Sequence, residues 1–108
     1  MTPFSISVSR PNFCRIVLLS EEADIDEAKY AAEIIALGCR ELTAKTAKSS
    51  IKGEMLLPVE LDEKLLRKVA SKAARFNSDI LTVMSSGLAL ALAMGLDEEL
   101  KSRALLVY

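Results

Sequence analysis

The sequence predicts a small α+β protein. Its 108 residues are 51% apolar and 27% charged, which is enough apolar material to bury the core of one domain. Apolar residues alternate with serines near the N-terminus, the period of a strand, and recur every three or four residues farther along, the period of helices. The expected order is an N-terminal β-hairpin and a long helix, then a strand, two helices and a short C-terminal helix.

The hairpin prediction comes from two apolar segments with turn residues between them. Phe4, Ile6 and Val8 alternate with serines, as in a half-buried strand. The turn residues at 10–12 precede a second apolar run at 16–19, so the two segments are expected to pair as neighbouring strands.

A helix is expected from about Asp24 to about Lys45. Asp24 and Glu27 have the spacing of a capping box. Gly38 weakens this helix and is a candidate for its end. The expected buried face comprises Ala28, Ala32, Ile35, Cys39 and Leu42. A polar segment then divides the chain into a hairpin-plus-helix module at 1–48 and a second module at 49–108, or joins them in one single domain. No internal repeat is evident.

The second module begins with the strand "MLLPVEL" at 55–61. Asp62 is a suitable N-cap for the helix that follows. That helix has a buried stripe and a basic surface, formed by Lys64, Arg67, Lys68, Lys72 and Arg75.

The next helix, from Ile80 to Met94, is apolar on almost every side and is followed by Gly95. Such a helix has to lie at the centre of its domain or be shared with a partner, and we expect a two-fold homodimer. Acidic residues at 97–99 predict the start of a short C-terminal helix that ends near Leu106.

The order of elements over residues 54–94 resembles the ribbon-helix-helix family of small regulators. The resemblance rests on "MLLPVEL", the helix start at 62–66, the turn at 77–79 and the helix start at Ile80. In that family, strands from two subunits pair into an antiparallel ribbon that lies in the major groove of DNA. The second helix forms the dimer core and its N-terminus meets a phosphate.

The resemblance implies a homodimer that regulates transcription, such as a repressor, an antitoxin or a plasmid-maintenance protein. A cytoplasmic location is the default expectation for a sequence whose start lacks a signal-peptide pattern. The implied DNA-binding residues are Lys52, Lys64, Lys68, Lys72 and Ser78. The implied dimer interface comprises Leu57, Val59, Leu81, Met84, Leu88 and Leu92. The strand face left for DNA would carry Lys52, Glu54, Leu56, Pro58 and Glu60, whereas base reading favours Arg, Lys, Asn or Gln.

Composition argues against several other classes of function. The chain has no histidine, and its two cysteines, Cys14 and Cys39, lack the spacing of zinc or redox motifs. Without a phosphate-binding loop or a nucleophile beside a base, we expect no enzyme, no catalytic residue, no metal and no cofactor. The N-terminus does not resemble a signal peptide, and the uncharged window at 80–96 is shorter than the roughly 20 residues of a membrane span. The alternative to a DNA-binding regulator is a protein–protein interaction or adaptor protein that binds no nucleic acid and no membrane.

Overall fold

Two strands and four helices follow one another in the computed structural model, which describes residues 1–43, 53–96 and 98. They are β1 (Thr2–Val8), α1 (Arg10–Ala23), α2 (Glu27–Glu41), β2 (Met55–Leu61), α3 (Glu63–Arg75) and α4 (Ile80–Ala93). The predicted α+β class is confirmed, as is the strand-helix-helix order of the second module. The expected C-terminal helix and Lys52 lie outside the described residues.

The predicted N-terminal hairpin is wrong, because the apolar run at 16–19 lies within α1. Ser9 caps this helix, and its hydroxyl accepts a hydrogen bond from the amide of Asn12 at 3.3 Å. Pro11 is in the first turn, where a missing amide hydrogen has no cost. Ile16 and Ser20, four residues apart, are buried. A short apolar run is compatible with a strand and with a helix. Ser9 and Pro11 at the start of α1 favour the helix.

The predicted helix over 24–45 is α2, with shorter bounds. Asp24 is the left-handed residue that ends α1, and Asp26 caps α2 in its place by accepting from the amide of Ala28 at 3.2 Å. Gly38 lies inside α2 and does not end it. All five residues of the predicted inner face are buried, namely Ala28, Ala32, Ile35, Cys39 and Leu42.

The two halves of the chain are built alike. Each is a strand followed by two helices, and the elements of the second half begin at Met55, Glu63 and Ile80, each 53 residues after its counterpart. The first helix of each half ends at a left-handed residue, Asp24 with a φ of 55° and Asn77 with a φ of 53°. These positions are also 53 residues apart. The internal repeat that was not evident in the sequence is therefore present in the structure.

The hydrogen bonds at these helix ends repeat as well. The amide of Ile25 donates to the carbonyl of Ser20 at 3.0 Å. The amide of Ser78 donates to the carbonyl of Ala73 at 2.8 Å. Both bonds close the last turn of the helix in the manner of a Schellman motif, so each half makes the same turn between its two helices.

The strands of the two halves pair with each other in a two-fold register. The antiparallel ladder joins Thr2 to Leu61 and Val8 to Met55. At its centre Ser5 pairs with Pro58, the residue that corresponds to it in the other half. The ribbon is thus symmetric about this pair, and the strand at Met55 pairs within the chain.

The second helices of the halves, α2 and α4, make the most extensive helix–helix contact in the described part of the chain. They approach closely because a Cβ atom on Gly38 would lie only 1.8 Å from the carbonyl oxygen of Gly87. One hydrophobic cluster contains residues from both halves, including Ile6, Ile16, Ile35, Leu57, Val69 and Leu88.

This packing covers α4 without a second molecule. Five of the six predicted dimer-interface residues are at most 3% exposed inside one chain, namely Leu57, Val59, Met84, Leu88 and Leu92. Leu81 is 48% exposed. Within one chain, α2 supplies cover of the kind that we expected from a partner.

Within the described residues, no single helix is both long and apolar enough to cross a membrane. Helices α3 and α4 reach that length and composition only as a pair, and the chain bends by 102° between them.

Candidate binding groove between α2 and α3

A groove of about 530 Å³ lies between the C-terminal part of α2 and the outer face of α3. Its basic residues are Arg40, Arg67, Lys68, Lys72 and Arg75. Its other residues are Ala36, Leu37, Cys39, Leu65 and Ser71. None of its described lining residues is acidic, so the groove combines an apolar floor with a cationic rim.

The rim follows from the helical period of α3. Asp62 starts the helix by accepting a hydrogen bond from the amide of Leu65 at 2.7 Å. Val69 and Ala73 are buried, which turns the opposite side of α3 outward. Lys68 and Lys72 are four residues apart and therefore lie on the same face.

The cations of the rim differ in their ion pairing. Arg67 forms an ion pair with Glu63, whereas no ion pair is found for Lys68, Lys72 or Arg75 within the described residues. The Nζ atom of Lys72 lies 5.6 Å from the centroid of the Phe76 ring, a cation–π contact that restrains the ammonium group.

The one thiol in the groove adds no negative charge at neutral pH. Burial raises the pKa of Cys39 to about 11, although the charge of Lys72 acts in the opposite direction. Cys39 is 4% exposed. It therefore forms part of the apolar floor as a neutral side chain.

The predicted DNA-binding residues are only partly brought together. Lys68 and Lys72 share the groove. Lys64 lies beside it in a shallow concavity that also contains Asp62 and Glu63. Ser78 belongs to the turn between α3 and α4. Arg40 is exposed near the end of α2 and joins the rim because α2 and α3 are neighbours. No sequence signal showed that proximity.

The N-terminus of α4 already holds a carboxylate. Asp79 accepts hydrogen bonds from the amide of Thr82 at 2.7 Å and from its hydroxyl at 3.0 Å. These bonds lower the pKa of Asp79. Asp26 takes the same position at α2. An incoming phosphate at either helix would meet this negative charge.

A second concavity, of about 570 Å³, lies where β2 approaches the start of α2. Its lining includes Glu21, Asp24, Asp26, Glu27, Pro58 and Glu60. The positions that alternate with the buried ones in the ribbon are Pro3, Ser5, Ser7, Leu56, Pro58 and Glu60. They include no cation, and the acidic concavity adjoins them.

Among the described residues, no three His, Cys, Asp or Glu side chains are placed to hold a metal ion. Neither a family model, nor a curated protein, nor a solved structure matches the chain.

Proposed function

We propose that the protein is a non-enzymatic regulator that has the ribbon-helix-helix architecture within one chain and acts by binding another protein. The observation that carries the proposal is the two-fold register of the ribbon, with Ser5 opposite its counterpart Pro58. In the ribbon-helix-helix family that register arises between two subunits. Here one chain supplies both strands and both pairs of helices.

The crosswise packing of the halves supports the same proposal. Helix α2 of the first half packs beneath β2 of the second, and α4 of the second half contacts β1 of the first. Each half therefore depends on the strand of the other. We expect the chain to be stable without a second copy.

The electrostatics of the ribbon surface favour a protein partner over DNA. A ribbon in the major groove brings its flanking surface close to phosphates. Around this ribbon that surface contains Glu60 and the carboxylates near Asp26, which would repel phosphates. The outward side chains also lack the Arg, Lys, Asn or Gln residues that form bidentate contacts to bases.

Light scattering coupled to gel filtration tests the architecture. A monomer at micromolar concentration is expected, because each strand already has its partner and α4 is covered. An obligate dimer that unfolds on dilution would contradict the single-chain architecture.

A fluorescence-anisotropy titration against random-sequence duplex DNA, at several salt concentrations, tests the choice of partner. We expect no appreciable binding at physiological salt. Binding that weakens linearly with the logarithm of salt concentration would favour the DNA-binding regulator. Repeating the titration with Lys68→Glu plus Lys72→Glu distinguishes binding through the groove from binding through the ribbon. Only binding through the groove would be lost in this variant.

A further inference from the structure

We propose that the groove between α2 and α3 binds an acidic amphipathic helix of a partner protein. This inference rests on the proposed protein-binding function and specifies the surface and the partner class. Among the described residues, five basic side chains and no acidic one line the groove, on a chain whose formal net charge is −1. Such local concentration of one sign attracts an oppositely charged partner and fixes its orientation.

The floor of the groove points to a peptide. Leu37 and Leu65 line it together with Ala36 and the neutral thiol of Cys39. A helix that docks in a groove places apolar residues three or four positions apart on such a floor. Its remaining face would then direct Glu and Asp side chains toward the cationic rim.

Nucleic acid fits the same surface less well. Phosphate contacts are made by cations, and an apolar floor adds nothing to them. Binding of single strands also relies on aromatic platforms for base stacking, and none of the described residues that line the groove is aromatic. The combination of floor and rim therefore favours the acidic helix.

The other half of the molecule shows that the fold does not require this charge. Positions 53 residues before Arg67, Lys72 and Arg75 hold Cys14, Leu19 and Glu22. At the position equivalent to Lys68, the guanidinium of Arg15 donates to the carbonyl of Leu92 at 3.2 Å. The same helix arrangement is thus formed without these cations, so the basic residues of α3 are a feature of its surface and not a requirement of the fold.

The test is an anisotropy titration with a fluorescein-labelled amphipathic peptide that has Leu at helical spacing and Glu at the remaining positions. We expect micromolar binding. Lys68→Glu plus Lys72→Glu should weaken it at least about tenfold, the effect of removing roughly 1.4 kcal/mol of attraction. The matched control, Arg10→Glu plus Lys29→Glu, changes the net charge equally at exposed residues that do not line the groove and should alter affinity by no more than about twofold.

Three further measurements make the result decisive. Circular dichroism must show equal helix content in both double variants, so that a loss of binding reports the groove. A scrambled peptide of the same composition should bind weakly, and equal binding would overturn the inference. Duplex DNA that displaces the peptide at lower concentration would assign the groove to nucleic acid. A monomeric chain that does not bind the peptide would overturn the groove inference while leaving the single-chain architecture standing.

Discussion

The two halves of this molecule share a backbone arrangement but differ in their surfaces. Helix α1 has two basic and two acidic residues, whereas α3 has five basic residues and one acidic residue. The buried positions correspond, since Ile16 and Val69 are both fully buried, as are Ile35 and Leu88. The comparison teaches that buried positions and caps suffice to specify the strand-helix-helix unit, and that its outer faces are free to acquire different roles.

The largest effect is expected at the helix crossing that joins the halves. Gly38→Ala would place a Cβ atom 1.8 Å from the backbone oxygen of Gly87, and the helices would have to separate. We expect a loss of about 3 kcal/mol or more in the free energy of unfolding, measured by urea denaturation. In Gly87→Ala the nearest atom is the Sγ of Cys39 at 3.2 Å, so a clearly smaller loss is expected. Equal losses would show that the crossing is not limited by Gly38.

Alkaline pH should destabilise the protein through Cys39, a thiol whose counterpart in the other half is Leu92. The pKa of Cys39 is raised from 9.0 to about 11 in the folded state. Its contribution is therefore present below pH 9 and is lost as the pH rises from 9 to 11. The loss amounts to at most about 3 kcal/mol. Between pH 8 and pH 10.5, the free energy of unfolding measured by urea denaturation should fall less for Cys39→Ala than for the native chain. Equal decreases would contradict the assignment of the pH effect to Cys39.

The helix caps of the two halves provide a smaller test. Asp79→Ala removes two hydrogen bonds to Thr82 and should cost about 1 kcal/mol. Asp26→Ala removes one longer bond and should cost less, as thermal denaturation can measure. Because the pKa of Asp79 lies below 3.8 in the folded state, its contribution is present above that pH and is lost as the pH falls through the folded pKa. An equal cost for both variants at pH 7 would contradict the ranking.

The smallest effect is expected at the centre of the ribbon. Pro58 is exposed, and Ser5 occupies the equivalent position opposite it. Pro58→Ser makes the two positions identical and should lower stability by no more than about 0.5 kcal/mol, mainly through the greater freedom of the unfolded chain. A larger loss in thermal denaturation would show that the stability of the ribbon depends on Pro58.

The second half could be predicted from the sequence because its capping residues agree with its apolar period. Asp62 precedes one helix and Asp79 the other, and both act as caps. In the first half, Ser9 is an equally good cap, but Pro11 beside it suggested a turn. The interpretation of 16–19 as a strand followed from that choice.

The repeat could not be found by comparing residues. Across positions 2–42 and 55–95, the identical pairs are Asp26 with Asp79, Ala36 with Ala89, and Leu37 with Leu90. What repeats is the placement of buried positions, caps and left-handed residues. The basic face of α3 was visible as a helical period, whereas Arg40 and the apolar floor of the groove depend on contacts between distant segments.

Tethering the halves changes how their association depends on dosage. Two separate subunits assemble to an extent that depends on their concentrations, and the dimer dissociates when the subunits are scarce. Covalently joined halves experience an effective concentration on the order of millimolar, whatever the abundance of the chain. The protein therefore stays assembled at nanomolar levels, and it can present two different faces without the sorting problem of a heterodimer.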